Sequence, residues 1–217
     1  MILPPLKEVA RYLGYRHQET DSGTETVIHQ CLKELNEVIQ PRTYAREFPL
    51  SFDNETILLE GTAIPSHSLY RNLKGCTDVL LFCATLGHGS DLLIRKTTVT
   101  SMARASILQA AASAMIEEVC DQENRRLEEQ YKAKGLYLRP RFSPGYGDLP
   151  LETQRLFFSL LDPYRNAGIS LSESLLMSPS KSVTAFIGIS PYQERCAVKG
   201  CTLCSHQDSC MFYKEES

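Results

Sequence analysis

Four cysteines crowd the end of this 217-residue chain as Cys196-x4-Cys201-x2-Cys204-x5-Cys210. Four thiolates at that density, with Gly200 and polar residues between them, suit either a tetrahedral Zn²⁺ or an iron–sulfur cluster. Zinc sites more often show two Cys-x2-Cys pairs and only one is present here, which tilts the reading toward a [4Fe-4S] cluster with zinc as the alternative. The plainer reading is a tail of free or disulfide-bonded thiols. A second stretch, Arg139-Pro-Arg-Phe-Ser-Pro-Gly-Tyr-Gly-Asp148, is unusual for a connector. Pro140 and Pro144 fix its backbone, Gly145 and Gly147 allow a close approach, and Arg141 and Tyr146 lie five residues apart. A rigid loop holding a guanidinium and an aromatic ring suits a small ligand with a carboxylate and a flat ring. From composition alone the plainer role, pinning a surface loop to the body, comes first.

Two further residues carry weaker signals. Glu173, in a Ser-Glu-Ser triplet beside an apolar stretch, either orients a ligand loop or is a charge at a sheet edge. His88 sits between Gly87 and Gly89 with no second histidine near it in sequence, which reads as a turn residue rather than a metal ligand. Cys31, Cys76, Cys83 and Cys120 are scattered and read as small apolar core residues.

The elements that must position these residues follow from periodicity. Residues 5–18 and 25–40 read as helices, the second with Val27, Ile28, Cys31, Leu32, Leu35, Val38 and Ile39 at helical spacing and Pro41 as its stop. Residues 43–59 look extended, with a turn at Asp53-Asn54, and a short helix capped by Ser66 runs to Leu73. The nearly unbroken apolar run from Val79 to Leu86 predicts a central strand buried on both faces. Ser90 or Asp91 then caps a helix start, and a long helix is expected from about Val99 to Tyr131, alanine-rich in its first half and charged in its second. Residues 135–150 form a Gly/Pro-rich loop and 151–161 a helix burying Leu156, Phe157, Leu160 and Leu161, while 169–177 and 182–190 read as strands. Helices and strands interleave without a βαβ repeat. The expected fold class is α+β, a mostly antiparallel twisted sheet packed with a long central helix over residues 1–190, followed by the Cys-rich tail at 191–217.

Composition narrows the function classes. Hydrophobic residues make up 42% and charged ones 23%, enough to bury a core, and a net charge of −3 without any basic stretch argues against nucleic acid as a partner. The N-terminus shows no signal-peptide pattern, and no apolar run approaches the ~18 residues of a membrane span, so the expected location is the cytoplasm with no membrane partner.

Arg141-Phe-Ser-Pro-Gly145-Tyr146 resembles the Arg-x-x-x-Gly-Tyr motif of the activation domain of cobalamin-dependent methionine synthase, which binds S-adenosylmethionine. Gly168-Ile-Ser-Leu-Ser-Glu-Ser174 and Met177-Ser-Pro-Ser-Lys-Ser-Val183 resemble two further segments of that family, in order and at kept spacing, and a weaker likeness runs back to Ala112. The resemblance implies that Arg141 clamps the methionyl carboxylate, that Gly145, preceded by Pro144, lets main chain reach the adenine or ribose, and that Tyr146 packs near the cofactor along the methyl-transfer path. The fused bacterial form has a glutamate on the long helix where this chain has Ser113; Glu117, one turn further on, is the candidate replacement, with a solvated helix residue as its plainer role.

No Asp-x-His-x-x-Gly stretch, the signature of the cobalamin-carrying module, occurs in the chain, so the resemblance implies cobalamin held by a separate methionine synthase protein. The implied function is reductive methylation of that partner's cob(II)alamin, restoring methylcobalamin, with a flavodoxin or ferredoxin as electron donor. No catalytic acid, base or nucleophile is expected, since the contribution is binding and orientation, as an accessory subunit without independent turnover. Two rivals remain: an activator of another corrinoid methyltransferase, and a metal-binding interaction protein whose loop binds nothing.

Overall fold

The apolar run near the middle of the chain decides the architecture. In the computed structural model, which describes residues 1–15 and 20–193, it forms β5 (Asp78–Thr85), buried from Val79 onward. Antiparallel partners flank it, β1 (Arg42–Pro49) on one side and β9 (Ser182–Ser190) on the other. With β6 (Tyr137–Leu138) they make a four-stranded sheet in the order β1-β5-β9-β6. Side chains alternate across a strand, so the sheet feeds two cores. Leu80, Phe82 and Ala84 join Ala185, Ile187 and Ile189 on one face, whereas Val79, Leu81 and Cys83 join Phe186 on the other.

Helices cover the first face: α1 (Leu6–Tyr12), α2 (Ser22–Val38), α4 (His88–Thr100) and α5 (Met102–Lys132). The start of α2 is fixed by Asp21, whose carboxylate accepts the N–H groups of Gly23 and Thr24, both at 3.0 Å. Its buried stripe is Ile28, Cys31, Leu32 and Leu35. The 31 residues of α5 span about 46 Å at the usual rise per residue. Small side chains at Ala110, Ala111, Ala112 and Ala114, all buried, let the sheet and α2 approach it closely. The charged second half of α5 runs out along the sheet toward solvent, as its sequence requires.

The second face carries a three-stranded meander, β2 (Ser51–Asp53), β3 (Thr56–Leu59) and β4 (Thr62–Ile64), then α3 (His67–Leu73). Later in the chain α6 (Gln154–Leu160), α7 (Pro163–Ala167) and a hairpin of β7 (Ser170–Leu171) and β8 (Met177–Ser178) close it. Phe157 and Phe186 meet edge to face at 4.6 Å between ring centres, both fully buried. Truncating either would cost about 3–5 kcal/mol. The mixed α/β architecture, with antiparallel pairing throughout and a long central helix, is the one expected.

Several local expectations are corrected. The long helix starts at Met102, because the β-branched run Thr97-Thr98-Val99-Thr100 weakens the helix and Ser101, in extended backbone, caps α5 by accepting Arg104 N–H at 3.3 Å. Neither Ser90 nor Asp91 caps α4, which begins at His88. Asp91 instead accepts Ser180 N–H at 2.8 Å and the Ser180 hydroxyl at 2.6 Å. The segment expected as one strand at 169–177 is a hairpin, turned at Ser172–Leu176 by a bond from Leu176 N–H to Ser172 Oγ at 3.0 Å. Residues 135–150, expected as loop throughout, begin with a strand on the sheet edge. No helix among the described residues is long and apolar enough to cross a membrane. Cys196, Cys201, Cys204 and Cys210 lie outside the described residues.

Candidate functional site

The edge strand after α5 contains an irregularity that builds the site. Tyr137 and Leu138 face Ser190 and Ile189, and Arg139 N–H donates to Gly188 C=O at 2.8 Å, all in one register. Four residues on from Leu138, Phe142 faces Phe186, which is only three residues back from Ile189. One residue of the edge strand is therefore extra, and it falls at Pro140–Arg141: a β-bulge. Proline, which cannot donate to a ladder, is tolerated at such a position. A bulge resets which face a side chain points to. In an unbroken strand Arg139 and Arg141 would share a face. Here Arg139, buried, sends Nη2 to Lys74 C=O at 3.3 Å at the end of α3, while Arg141 turns to the opposite face, onto α5.

Arg141 ends between two carboxylates one helical turn apart. Its Nη2 donates to Glu117 Oε2 at 3.1 Å and to Asp121 Oδ1 at 2.9 Å. The arginine side chain is only 17% exposed, whereas those of Glu117 and Asp121 are 46% and 49% exposed, so the acids form the outer rim and the guanidinium the inner wall. Arg141 Nη1 is buried without an acceptor among the described residues, leaving donor capacity the protein does not use. Beneath lies Cys120, whose thiol is pushed up to about 12 by burial, an effect the Arg141 charge only partly opposes. Burial first, and the Glu117 charge next, also push the Tyr12 phenol up, which places the end of α1 beside the same cluster.

Beyond Phe142 the chain makes a tight turn. Gly145 has φ 85°, a left-handed conformation that side chains resist, and a Cβ there would meet Leu151 Cδ1 at 3.2 Å. Its N–H donates to Leu149 C=O at 2.9 Å, and Tyr146 N–H to Ser143 C=O at 3.1 Å. Pro144 is buried under the turn and Gly145 is exposed. The half-buried Tyr146 ring stands edge to face on Phe142, at 5.4 Å and 82°. Arg141, Pro144, Gly145 and Tyr146 thus share one short, doubly anchored segment, and Glu117 joins them from α5. Glu173 does not: it is exposed at the tip of the β7–β8 hairpin, where its carbonyl accepts Arg155 Nη2 at 3.2 Å.

Ser113, at the position where the family's fused form has glutamate, accepts a bond from Lys181 Nζ at 2.9 Å. Burial lowers the Lys181 pKa, partly offset by Asp91. From this pair a groove of about 650 Å³ runs along α5, with Tyr12, Leu13, Ile94, Ala110 and Met102 on its walls. His88 is exposed at the start of α4, and no cluster of metal-ligating side chains occurs among the described residues.

Sequence reasoning missed Asp121 and Lys181. Asp121 had a legible signal, its i+4 spacing from Glu117 on the helix already singled out. Lys181 stands inside the segment Met177–Val183 that carried the resemblance, but nothing in its sequence context aims it at Ser113.

The arrangement can hold a group bearing both charges: a carboxylate against the guanidinium and an ammonium against the two acids.

Comparison with known proteins bears on what that group is. The family model described as vitamin B12 dependent methionine synthase, activation domain, matches residues 92–208, more than half of the chain. A crystal structure of the MetH reactivation domain bound to AdoHcy is similar in fold, with a TM-score of 0.59 and 16% identity, over 88% of this chain and 78% of that one. No curated protein matches.

Proposed function

The chain belongs to the family of vitamin B12-dependent methionine synthase activation domains, and on that premise we propose that it binds S-adenosylmethionine through Arg141, Glu117, Asp121 and the turn at 144–146. The observation that carries the reading is the guanidinium flanked by two carboxylates within 3.1 Å, at the rim of the Arg-x-x-x-Gly-Tyr turn. The methionyl end of this ligand is a zwitterion. Its carboxylate would pair with Arg141, using the idle Nη1 as well as Nη2, and its ammonium would take over the acids that Arg141 releases. The solved relative's ligand, AdoHcy, is what this methyl donor becomes once its methyl has left, which supports S-adenosylmethionine as the class of ligand here.

The methyl acceptor in this reading is the cobalamin of a separate methionine synthase protein. The chain's own residues bind, orient and exclude water; the leaving sulfur keeps its bonding pair, so no general acid or base is required. Reduction of the cobalt needs an electron donor such as a flavodoxin or ferredoxin. Glu173, exposed at the tip of the β7–β8 hairpin, takes no part in the cluster. The four tail cysteines, Cys196, Cys201, Cys204 and Cys210, are proposed as a [4Fe-4S] site, or a zinc site, whose metal content measured on anaerobically purified protein decides between them.

Calorimetric titration of S-adenosylmethionine into the purified protein, with 5′-methylthioadenosine as comparison, tests the site. Saturable binding by the first is expected, and at least about a hundredfold weaker binding by the second than by S-adenosylhomocysteine, the neutral thioether that keeps the amino-acid group the second lacks. Equal affinities would show that the Arg141 cluster takes no part.

A further inference from the structure

α3 touches the ligand turn at three places, and all of them lie outside the matched residues 92–208. At its end, Lys74 C=O accepts Arg139 Nη2 at 3.3 Å; two residues earlier, Asn72 Nδ2 donates to Pro140 C=O at 3.3 Å. At its start, the Asp148 carboxylate collects the Ser66 hydroxyl at 2.7 Å, His67 N–H at 2.8 Å and Ser68 N–H at 3.1 Å. The segment that runs from the bulge to the end of the turn is therefore fastened at both ends to one short helix.

Asp148 is the stronger of the two fastenings. Its carboxylate takes three charge-assisted bonds at 2.7 Å, 2.8 Å and 3.1 Å, whereas the other fastening has one from the Arg139 guanidinium and one neutral bond, both at 3.3 Å. Ser66, buried, donates to Asp148 while its oxygen also caps α3 by accepting Leu69 N–H at 3.1 Å, so the hydroxyl is fixed in direction. Partial burial alone would push the Asp148 carboxyl up, yet the bonds from Ser66, Ser68 and His67 outweigh it and hold it below the usual range. Contact is close as well: a Cβ at Gly147, next to Asp148, would meet Ser68 Oγ at 3.1 Å. No ligand atom need touch any of these groups, and none of them faces Arg141.

We propose that Asp148 is a positioning residue: through Ser66 and the first turn of α3 it holds Gly145 and Tyr146 in the conformation that accepts the ligand. The inference rests on the reading that this turn is the S-adenosylmethionine site. The asparagine of Asp148→Asn keeps the size but turns an amide donor toward backbone donors. In the full-length protein this variant is expected to bind S-adenosylmethionine about tenfold more weakly, measured well below its unfolding temperature. Ser66→Ala, which leaves the His67 and Ser68 N–H bonds to Asp148, should weaken binding less, the double variant should be no worse than Asp148→Asn alone, and Ser66→Thr should restore affinity. Hydrogen exchange at the amides of residues 143 and 145–147 should quicken in Asp148→Asn without ligand. A role in stability alone would lower the unfolding temperature but leave affinity and exchange in the turn as in wild type, and that result would overturn the proposal. If wild-type protein fails to bind S-adenosylmethionine, the proposed function falls, and exchange at 143 and 145–147 decides by itself whether Asp148 holds the turn.

Discussion

Replacing Arg141 by methionine separates what the residue does for the fold from what it does for a ligand. Its two ion pairs reach carboxylates about half exposed, so each is worth about 0.2–1 kcal/mol. Loss of both leaves Glu117 and Asp121 as like charges one turn apart, which adds a few tenths more. The total of about 1–2 kcal/mol should lower the unfolding temperature by about 3–6 °C in a domain of this size. Ligand affinity should fall further. A guanidinium only 17% exposed that accepts a carboxylate is a desolvated charge pair, and truncating one partner of such a pair costs about 2–5 kcal/mol, or at least about thirtyfold in dissociation constant. The two effects part company in the triple variant Arg141→Met, Glu117→Gln, Asp121→Asn. Removing the repulsion should return only the few tenths of a kcal/mol that it cost, and none of the binding. Thermal unfolding by circular dichroism and calorimetric titration of S-adenosylmethionine read the two quantities on the same samples. Wild-type affinity in Arg141→Met, or affinity recovered in the triple variant along with stability, would refute the assignment of Arg141 to the ligand carboxylate.

Three further outcomes follow from the packing. Gly188→Ala in β9 should destabilise by about 1–3 kcal/mol in urea unfolding, since its Cβ would fall 2.6 Å from Cys76 Sγ, 2.8 Å from Leu73 Cδ2 and 3.0 Å from Arg139 Cγ. Asp148 has a folded pKa below that of the unfolded chain, so its stabilisation is present above ~pH 4 and is lost as pH falls through the depressed value. The urea midpoint of wild type should thus drop more between pH 6 and acid than that of Asp148→Asn. Cys83 and Cys120 are buried and their thiols are pushed up to about 12 by burial, so iodoacetamide at ~pH 8 should leave both unmodified until urea is added, as mapped by mass spectrometry.

How much of this was legible depends on whether a signal is local. The apolar run of β5, the stripe of α2, the Ser66 cap and the alanine-rich half of α5 are carried by residue type and spacing, and each is found where it was expected. α7 had its own local signal that went unread: Asp162 before Pro163 at the first helical position and Gly168 after the last. The bulge had none beyond Pro140. Whether Arg141 shares a face with Arg139 is fixed by pairing with Phe186 and Gly188, more than forty residues on, and a one-residue slip in that pairing inverts the answer. The motif therefore singled out Arg141 as a candidate ligand residue but not the side of the sheet it faces, and Asp121 was missed with it. The tie between Asp148 and Ser66, 82 residues apart, is of the same kind.

The pairing of Arg141 in the free protein also bears on selectivity. A bare arginine on an inner wall would draw any small anion. Here two carboxylates already neutralise it, and a simple anion would have to displace both of them from the guanidinium. That exchange gains little, since the new pair only replaces the old one. A ligand bearing an ammonium beside its carboxylate makes both pairs at once and leaves no charge orphaned. In the proposed reading the cluster favours an α-amino-acid group over phosphate or acetate, while discrimination against free methionine falls to the turn at 144–146, where Gly145 is exposed and Tyr146 stands braced on Phe142. Recognition in that reading is divided between two structures fixed by different parts of the chain: the bulge aims the charge, and α3, through the proposed role of Asp148, sets the turn.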